Sequence, residues 1–327
     1  MNKLLKLIIS VIISTLGLYY AFGEVNIEEL WLSLKSTNLI YIVLASSLII
    51  FSILIRAQRW KLLLEPIKVI PLNPLFGTTM IGYFGNAVLP FRFGELLRAY
   101  SIASLKNINT SAAFGTILLE RILDLIGLVF TMLIFSWFYP FESGGKSIII
   151  LIMLLTISGF TFIIWLGSNH LQILEKIKRR PFFKGPLSIK ILKIISNLIE
   201  GLTSIRDTNH SIKIIFYTIF IWFIYFCVTF AVILGTGINL DWIGVGIILI
   251  STSFALAVPA APGGIGTYHA AAVYMLTSYF AVNRIESQAF AVILHAVGYV
   301  PLMLIGFIYF IRSSVHFKDI SEKNITK

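Results

Sequence analysis

The chain has 327 residues, of which 57% are hydrophobic and 13% charged, with a mean hydropathy of +0.90. A soluble domain of this length cannot hide so much apolar surface, so the composition predicts an all-α fold: a polytopic membrane helix bundle forming one integral membrane domain over 1–327. The formal net charge of +11 falls between the apolar runs, as the positive-inside rule places it. No aromatic-interleaved basic motif accompanies it, which argues against nucleic acid as a partner.

In chain order, Lys3 and Lys6 precede an apolar run over 7–22. Ala21-Phe22-Gly23 resembles a cleavage site, but the run exceeds a signal-peptide core of about 7–15 residues, so an uncleaved first helix with a cytoplasmic N-terminus is predicted. Glu24, Glu28 and Glu29 mark an outer loop, and 39–55 a second span. Arg56, Arg59, Lys61 and Lys68, opposed by Glu65, then read as an inner basic loop. The stretch LFGTTMIGYFGNAVLP is too rich in glycine and threonine for a lipid-facing helix, and it runs into Arg92, Glu95 and Arg98. A long helix is predicted over 112–138, carrying Glu120, Arg121 and Asp124, followed by a plain span over 148–166. The segment 167–210 is rich in lysine and arginine interleaved with leucine and isoleucine, and reads as a basic cytoplasmic or interfacial loop. It is either an amphipathic segment on anionic headgroups or a connector obeying topology. Spans over 212–234, 243–258 and 289–311 follow, with an amphipathic helix over 267–281, and Arg312 and Lys318 put the C-terminus in the cytoplasm. The total is about seven to nine spanning or re-entrant helices in the cell membrane.

Two of these apolar stretches are broken in related ways: NAVLPFRFGELLRAY over 86–100 and LAVPAAPGGIGTYHAAAVY over 256–274. Each has an Ala-Val pair, and each has a proline followed four positions later by glycine, Pro90 to Gly94 and Pro262 to Gly266. Paired interrupted segments in two halves of a membrane protein point to a transport site and to an inverted repeat. A break also frees backbone amides and carbonyls, tolerated at membrane depth only against protein or water.

A charged residue at a helix centre costs roughly 2.5–3.5 kcal/mol on insertion scales, so Arg92, Glu95, Arg98, Glu120, Arg121 and Asp124 must pair, lie near an interface or line a wet cavity. Glu120 and Asp124 share a helix face, Arg121 can reach Asp124, and Glu95 lies three residues from Arg98. Interfacial anchoring is the competing reading, weaker for the three residues beside a break. The second break offers His269 rather than an acid, and His295 lies in the last span; a lone membrane histidine is ordinarily hydrogen-bonded packing. Facing one cavity, the two could bind phosphate or titrate near neutral pH.

Catalytic signatures are nearly silent: neither HExxH nor GxSxG occurs, and GGKS over 144–147 lacks the upstream glycine of a nucleotide-binding loop. The single cysteine, Cys227, sits in an apolar run, and neither a metal nor a cofactor is expected.

NAVLPFRFGELLRAY, the Glu120-Arg121 pair with Asp124, and the PGGIG string at 262–266 resemble, in that order, the flippase-like family also called the lysylphosphatidylglycerol synthase transmembrane region. The resemblance covers nearly the whole chain. Fused members carry a soluble domain that transfers an amino acid from aminoacyl-tRNA to a phospholipid; this sequence ends at Lys327, so that activity is not carried over. The resemblance implies instead the movement of a lipid between leaflets. The family's second motif usually has a glutamate where this chain has His269, which argues against a mechanism needing two matched acids.

The leading expectation is a lipid flippase acting on a polar or anionic phospholipid or polyprenyl-linked lipid, rather than an enzyme. Asn86, Pro90, Arg92, Gly94, Glu95, Arg98, Pro262, Gly263, Gly264, Gly266 and His269 would bind the headgroup, with Glu120, Arg121, Asp124 and His295 setting the field or gate. An embedded headgroup transferase and an accessory scaffold for lipid-biosynthetic enzymes are the alternatives. Membrane lipids are the expected partners, with a homo-oligomer and a biosynthetic enzyme partner left open.

Overall fold

A computed structural model of the chain describes residues 3–89, 92–138, 143–178, 185–257 and 261–313. All its regular structure is helical: α1 (Lys3–Phe22), α2 (Ile27–Lys35), α3 (Leu39–Leu64), α4 (Leu72–Val88), α5 (Gly94–Lys106), α6 (Thr110–Phe138), α7 (Ser143–Lys178), α8 (Pro186–Leu202), α9 (Ser204–Asp207), α10 (Ser211–Thr236), α11 (Trp242–Ala257), α12 (Thr267–Tyr274) and α13 (Arg284–Arg312). A 3-10 turn over Pro262–Gly264 lies between α11 and α12, and a π turn over Met275–Tyr279 extends α12. Among the described residues, stretches within α3, α7, α10 and α13 are long and apolar enough to cross a membrane. The expected multi-pass bundle is what the chain forms.

Several sequence expectations need correction. The stretch carrying Glu28 and Glu29 is the short helix α2, whose N-cap Asn26 accepts from the amides of Glu28 (3.1 Å) and Glu29 (3.3 Å), satisfying donors that open a helix. The second span runs on to Leu64, so Arg56 and Arg59 stand inside α3, not in a loop, and both are buried. The 167–210 segment is largely helical where described: α7 continues to Lys178 and α8 begins at Pro186. Arg179, Arg180 and Lys184 lie outside the described residues, as do Pro90 and Lys318.

The helices approach closely at several glycines, as membrane bundles require when no hydrophobic effect drives association. Helix α8 packs on α6 so tightly that a Cβ at Gly201 would fall on the Ala112 carbonyl oxygen, and one at Gly115 on the Leu198 carbonyl oxygen. One face of α8, with Leu192 and Ile199, is thereby buried while Ile189, Ile191 and Ile195 stay exposed.

The packing has an internal two-fold pattern. Exchanging α3, α4, α5 and α6 for α10, α11, α12 and α13 leaves the set of main contacts unchanged: α3 packs on α10, α4 on α13 as α11 on α6, and α3 on α13 as α10 on α6. Within each half the successive helices also touch. Helices α3 and α10 are antiparallel, since the Asn38 amide at the start of α3 donates to the Gly235 carbonyl at the end of α10 (2.9 Å), while Arg59 near the end of α3 reaches Thr218 near the start of α10 (3.0 Å). The halves therefore run in opposite senses, which is the inverted arrangement expected from the two breaks.

This packing makes a stability prediction. Replacing Gly201 by Ala forces α6 and α8 apart and lowers stability by roughly 1–3 kcal/mol. Gly159→Ala, with nothing within 4 Å of the new methyl group, leaves stability equal or slightly higher. Thermal melting of the detergent-purified variants checks the contrast, and equal melting temperatures would contradict it.

Candidate functional site

The first break is built by close backbone approach. Helices α4 and α5 form a hairpin in which Gly94 lies so near α4 that a Cβ there would strike the Gly82 carbonyl oxygen and the Asn86 backbone nitrogen, with the Asn86 side-chain oxygen at 2.6 Å. Any larger residue at 94 would open the hairpin. The Asn86 Oδ1 is buried with no hydrogen-bond partner among the described residues. Just before Gly94, Arg92 adopts φ +55°, a left-handed conformation uncommon for a non-glycine residue and one that collects at binding sites and switches.

Behind this hairpin the charged residues form one network across α3, α5 and α6. Asp124 accepts from Arg56 Nη1 through Oδ2 and from Arg59 Nη2 through Oδ1, both at 2.7 Å. Glu120 lies between Arg59 (3.6 Å) and Arg98 (2.7 Å). Arg121 meets Glu95 at 3.2 Å and Asp124 at 3.4 Å. Tyr225 and Thr218 of α10 accept from Arg56 and Arg59, each at 3.0 Å, and the Arg98 guanidinium sits 3.6 Å above the Trp60 ring, a cation–π contact.

The pairing runs between helices, where the sequence suggested Glu95 with Arg98 on one helix. The pair Arg121 with Asp124, three residues apart, forms as the spacing predicted. Arg59 and Glu120 have no exposed side-chain surface, and Arg98 has 4%. Charges buried this deeply persist only when paired, so the network dictates the mutual placement of α3, α5 and α6. Four guanidinium groups (Arg56, Arg59, Arg98, Arg121) face three carboxylates (Glu95, Glu120, Asp124), which leaves one positive charge over when all are ionised. Arg98 Nε and Nη2 also have no hydrogen-bond partner among the described residues.

The second break lies against the first. The Arg92 guanidinium donates to the Leu256 carbonyl near the end of α11, satisfying a backbone acceptor at a helix end, and the 3-10 turn packs on α4. Gly263, Gly264 and Gly266 all have positive φ (77°, 68° and 95°), so the turn depends on glycine. Helix α1 closes over it: the Ala261 amide donates to Ser14 Oγ (2.7 Å), and Gly17 and Gly266 come so close that a Cβ on Gly17 would lie 2.6 Å from the Gly266 carbonyl carbon. His295 Nε2 donates to the Gly263 carbonyl oxygen at 2.9 Å, and its ring lies 4.7 Å, centroid to centroid, from both His269 and Tyr299. The two histidines thus meet.

Of the residues expected at the site, Arg92 and the glycines of the second turn come together at the junction of the breaks, where Leu256 supplies the carbonyl that Arg92 bonds, with His269 and His295 on its α12–α13 side. Glu95, Arg98, Glu120, Arg121 and Asp124 form the adjoining network. Sequence reasoning missed Arg56 and Arg59. Their spacing of three along an unbroken helical run, with no stop signal before Leu64, was the signal that could have found them. It also missed Ser14 and Tyr299, which nothing in the sequence distinguishes. No group of three or more histidine, cysteine, aspartate and glutamate side chains suited to a metal occurs among the described residues.

A family model described as the lysylphosphatidylglycerol synthase TM region matches residues 7–306. The chain belongs to this family. Among curated proteins it is similar to the UPF0104 membrane protein MJ1595 of Methanocaldococcus jannaschii, 25% identical over 331 residues covering 94% of each chain. The UPF0104 membrane protein MJ1078 of the same organism is 26% identical over 75% of this chain and 97% of its own. Glycosyltransferase AglD of Haloferax volcanii is 24% identical over 68% of this chain and 40% of its own. No solved structure matches.

The network predicts that Glu120→Gln, which strands Arg98 and weakens the pairing of Arg59, destabilises the protein by about 3–5 kcal/mol. The double replacement Arg98→Met with Glu120→Met recovers most of that loss, because an apolar pair of similar volume needs no partner. Melting temperatures of the single and double variants in detergent test this; a double variant worse than the single one would show that the pair is not acting as a unit.

Proposed function

We propose that the protein is a translocase for lipids with anionic headgroups, which cross between the two broken helix pairs while the acyl or prenyl tails remain in the bilayer. The observation that carries this reading is the meeting of the two breaks at Arg92, an exposed arginine with no carboxylate partner among the described residues. A lipid phosphate would find there a guanidinium, the amides of a glycine turn, and beside them a network with surplus positive charge. Arg121 is the most exposed member of that network, with 33% of its side-chain surface exposed, and its partner Glu95 has 14%. An arriving phosphate competes with Glu95 for Arg121, so this pair acts as the gate. Asn86 and Arg98 supply the next polar groups inward. The inverted repeat supports the reading in a second way, because two halves of opposite sense can exchange the side on which the junction opens.

A second reading, favoured by the name of the relative Glycosyltransferase AglD, is an embedded transferase acting on a lipid headgroup. It predicts a new chemical species, whereas a translocase returns its substrate unchanged.

Reconstitution into liposomes with fluorescent phosphatidylglycerol, phosphatidylethanolamine or polyprenyl phosphate, with the outer leaflet bleached chemically, decides between them. The protein should speed transbilayer movement of an anionic lipid with no new product by mass spectrometry. Arg92→Ala and Glu95→Gln should each slow it by about tenfold, equivalent to roughly 1.4 kcal/mol in the barrier. Failure to move any of these lipids, or variants as fast as wild type, would refute the translocase.

A further inference from the structure

The geometry points to a proton-binding site in the His269–His295 pair, occupied together with a phosphate diester held at the junction of the breaks; this rests on the translocase reading and adds the coupling ion to it. Three observations carry it. First, the pair has an open position. His295 Nε2 bears its hydrogen, since its partner is the Gly263 carbonyl oxygen, and His269 Nδ1 is buried without a hydrogen-bond partner among the described residues. A buried polar nitrogen with nothing to bond is unusual in a settled core and ordinary at a site that changes state. The rings lie 4.7 Å apart between centroids, so two added protons would repel each other and the pair takes up one more readily than two.

Second, among the described residues no negative charge faces the pair to balance that proton. The groups facing the pair are Tyr268 from α12, Tyr299 from α13 and Phe22 from α1, with the Gly263 carbonyl below. Among the described residues neither histidine has a carboxylate partner, and the charge that the neighbouring break brings to the Leu256 carbonyl is that of Arg92, also positive. A proton alone would therefore be repelled from a poorly hydrated site. A phosphate diester arriving at Arg92 reverses the sign: it favours the proton, and the proton favours it, by the same factor.

Third, the pair is tied to the part that must move. The His295–Gly263 bond links α13 to the glycine turn, which carries three positive-φ glycines between α11 and α12. Adding a proton to the pair changes the charge on a side chain that, together with Ser14 and Thr267, holds this turn. Headgroup charge, proton and turn conformation then change together.

The experiment uses purified full-length protein in weakly buffered detergent, titrated with short-chain phosphatidylglycerol, whose phosphodiester keeps its single negative charge across the range tested. About one proton should be taken up per lipid bound near pH 7, read with a pH indicator, and affinity should rise by about tenfold per pH unit as pH falls from 7.5 to 6.5. Glycerophosphoglycerol, the same headgroup without tails, should also take up a proton but bind more weakly; equal binding by both assigns the site to free phosphodiesters rather than lipids. The double variant His269→Gln with His295→Gln keeps a donor for the Gly263 carbonyl but has no imidazole to take a proton, and should bind with a flat pH profile. Lipid binding without proton uptake and with the same affinity at both pH values would overturn the proton site while leaving the translocase standing. Absence of lipid binding at either pH, together with no transbilayer movement, would overturn both.

Discussion

Arg59 lies with no exposed side-chain surface in the middle of a helical bundle, and its ion pairs with Asp124 and Glu120 are the constraint to which the neighbouring architecture conforms. An unpaired guanidinium at that depth would be far more expensive than any packing defect, so α6 has to present both acids on the face turned to α3. Glu120 in turn takes Arg98 of α5, which fixes the α4–α5 hairpin against α6. The first break is held in place from behind by this arrangement, and the strained Arg92 is carried to the front, where it meets the carbonyl of Leu256. The chain of dependence runs from a buried charge to a helix pairing to the position of an exposed arginine.

The two halves share one packing scheme but not one chemistry. The first half holds its break with charges, and the second holds its break with glycine, a serine hydroxyl from α1 and a histidine. Helix α1 has no counterpart in the exchange of halves, and it lies over the second break through Gly17 and Ser14. On the proposed function this asymmetry divides the labour: the charged half attracts and orients the headgroup, and the neutral half supplies the deformable backbone. His269 sets the rule by which that half changes charge, because an imidazole gains charge on protonation where a carboxylate loses it.

The sequence made some of this legible. Length and apolarity identified the long apolar stretches of α3, α7, α10 and α13, and the proline-to-glycine spacing pointed to the two places where helices end and restart. The charges of Glu120, Arg121 and Asp124 marked a polar helix face before any partner was known. Arg56 and Arg59 were misread because the positive-inside rule counts arginines after an apolar run without asking whether the helix continues. Here it continues to Leu64 and turns both inward. The helical state of much of 167–210 was visible as amphipathic spacing, but its docking on α6 was not. That docking depends on Gly115 and Gly201 meeting carbonyl oxygens, a contact between two helices that neither helix announces alone. The meeting of His269 with His295 was hidden for the same reason: pairings between distant helices are set by three-dimensional packing rather than by any local period.

The central claim is that Arg92, carried to the junction of the breaks by the buried network, recognises a lipid phosphate. Native mass spectrometry of the protein released from nanodiscs containing equal amounts of phosphatidylglycerol and phosphatidylcholine tests it most directly. The account predicts that one anionic lipid per chain is retained in preference to the zwitterionic one, and that Arg92→Ala abolishes the preference while the variant remains folded. Equal retention of the two lipids by the wild type, or an unchanged preference in the variant, would contradict it.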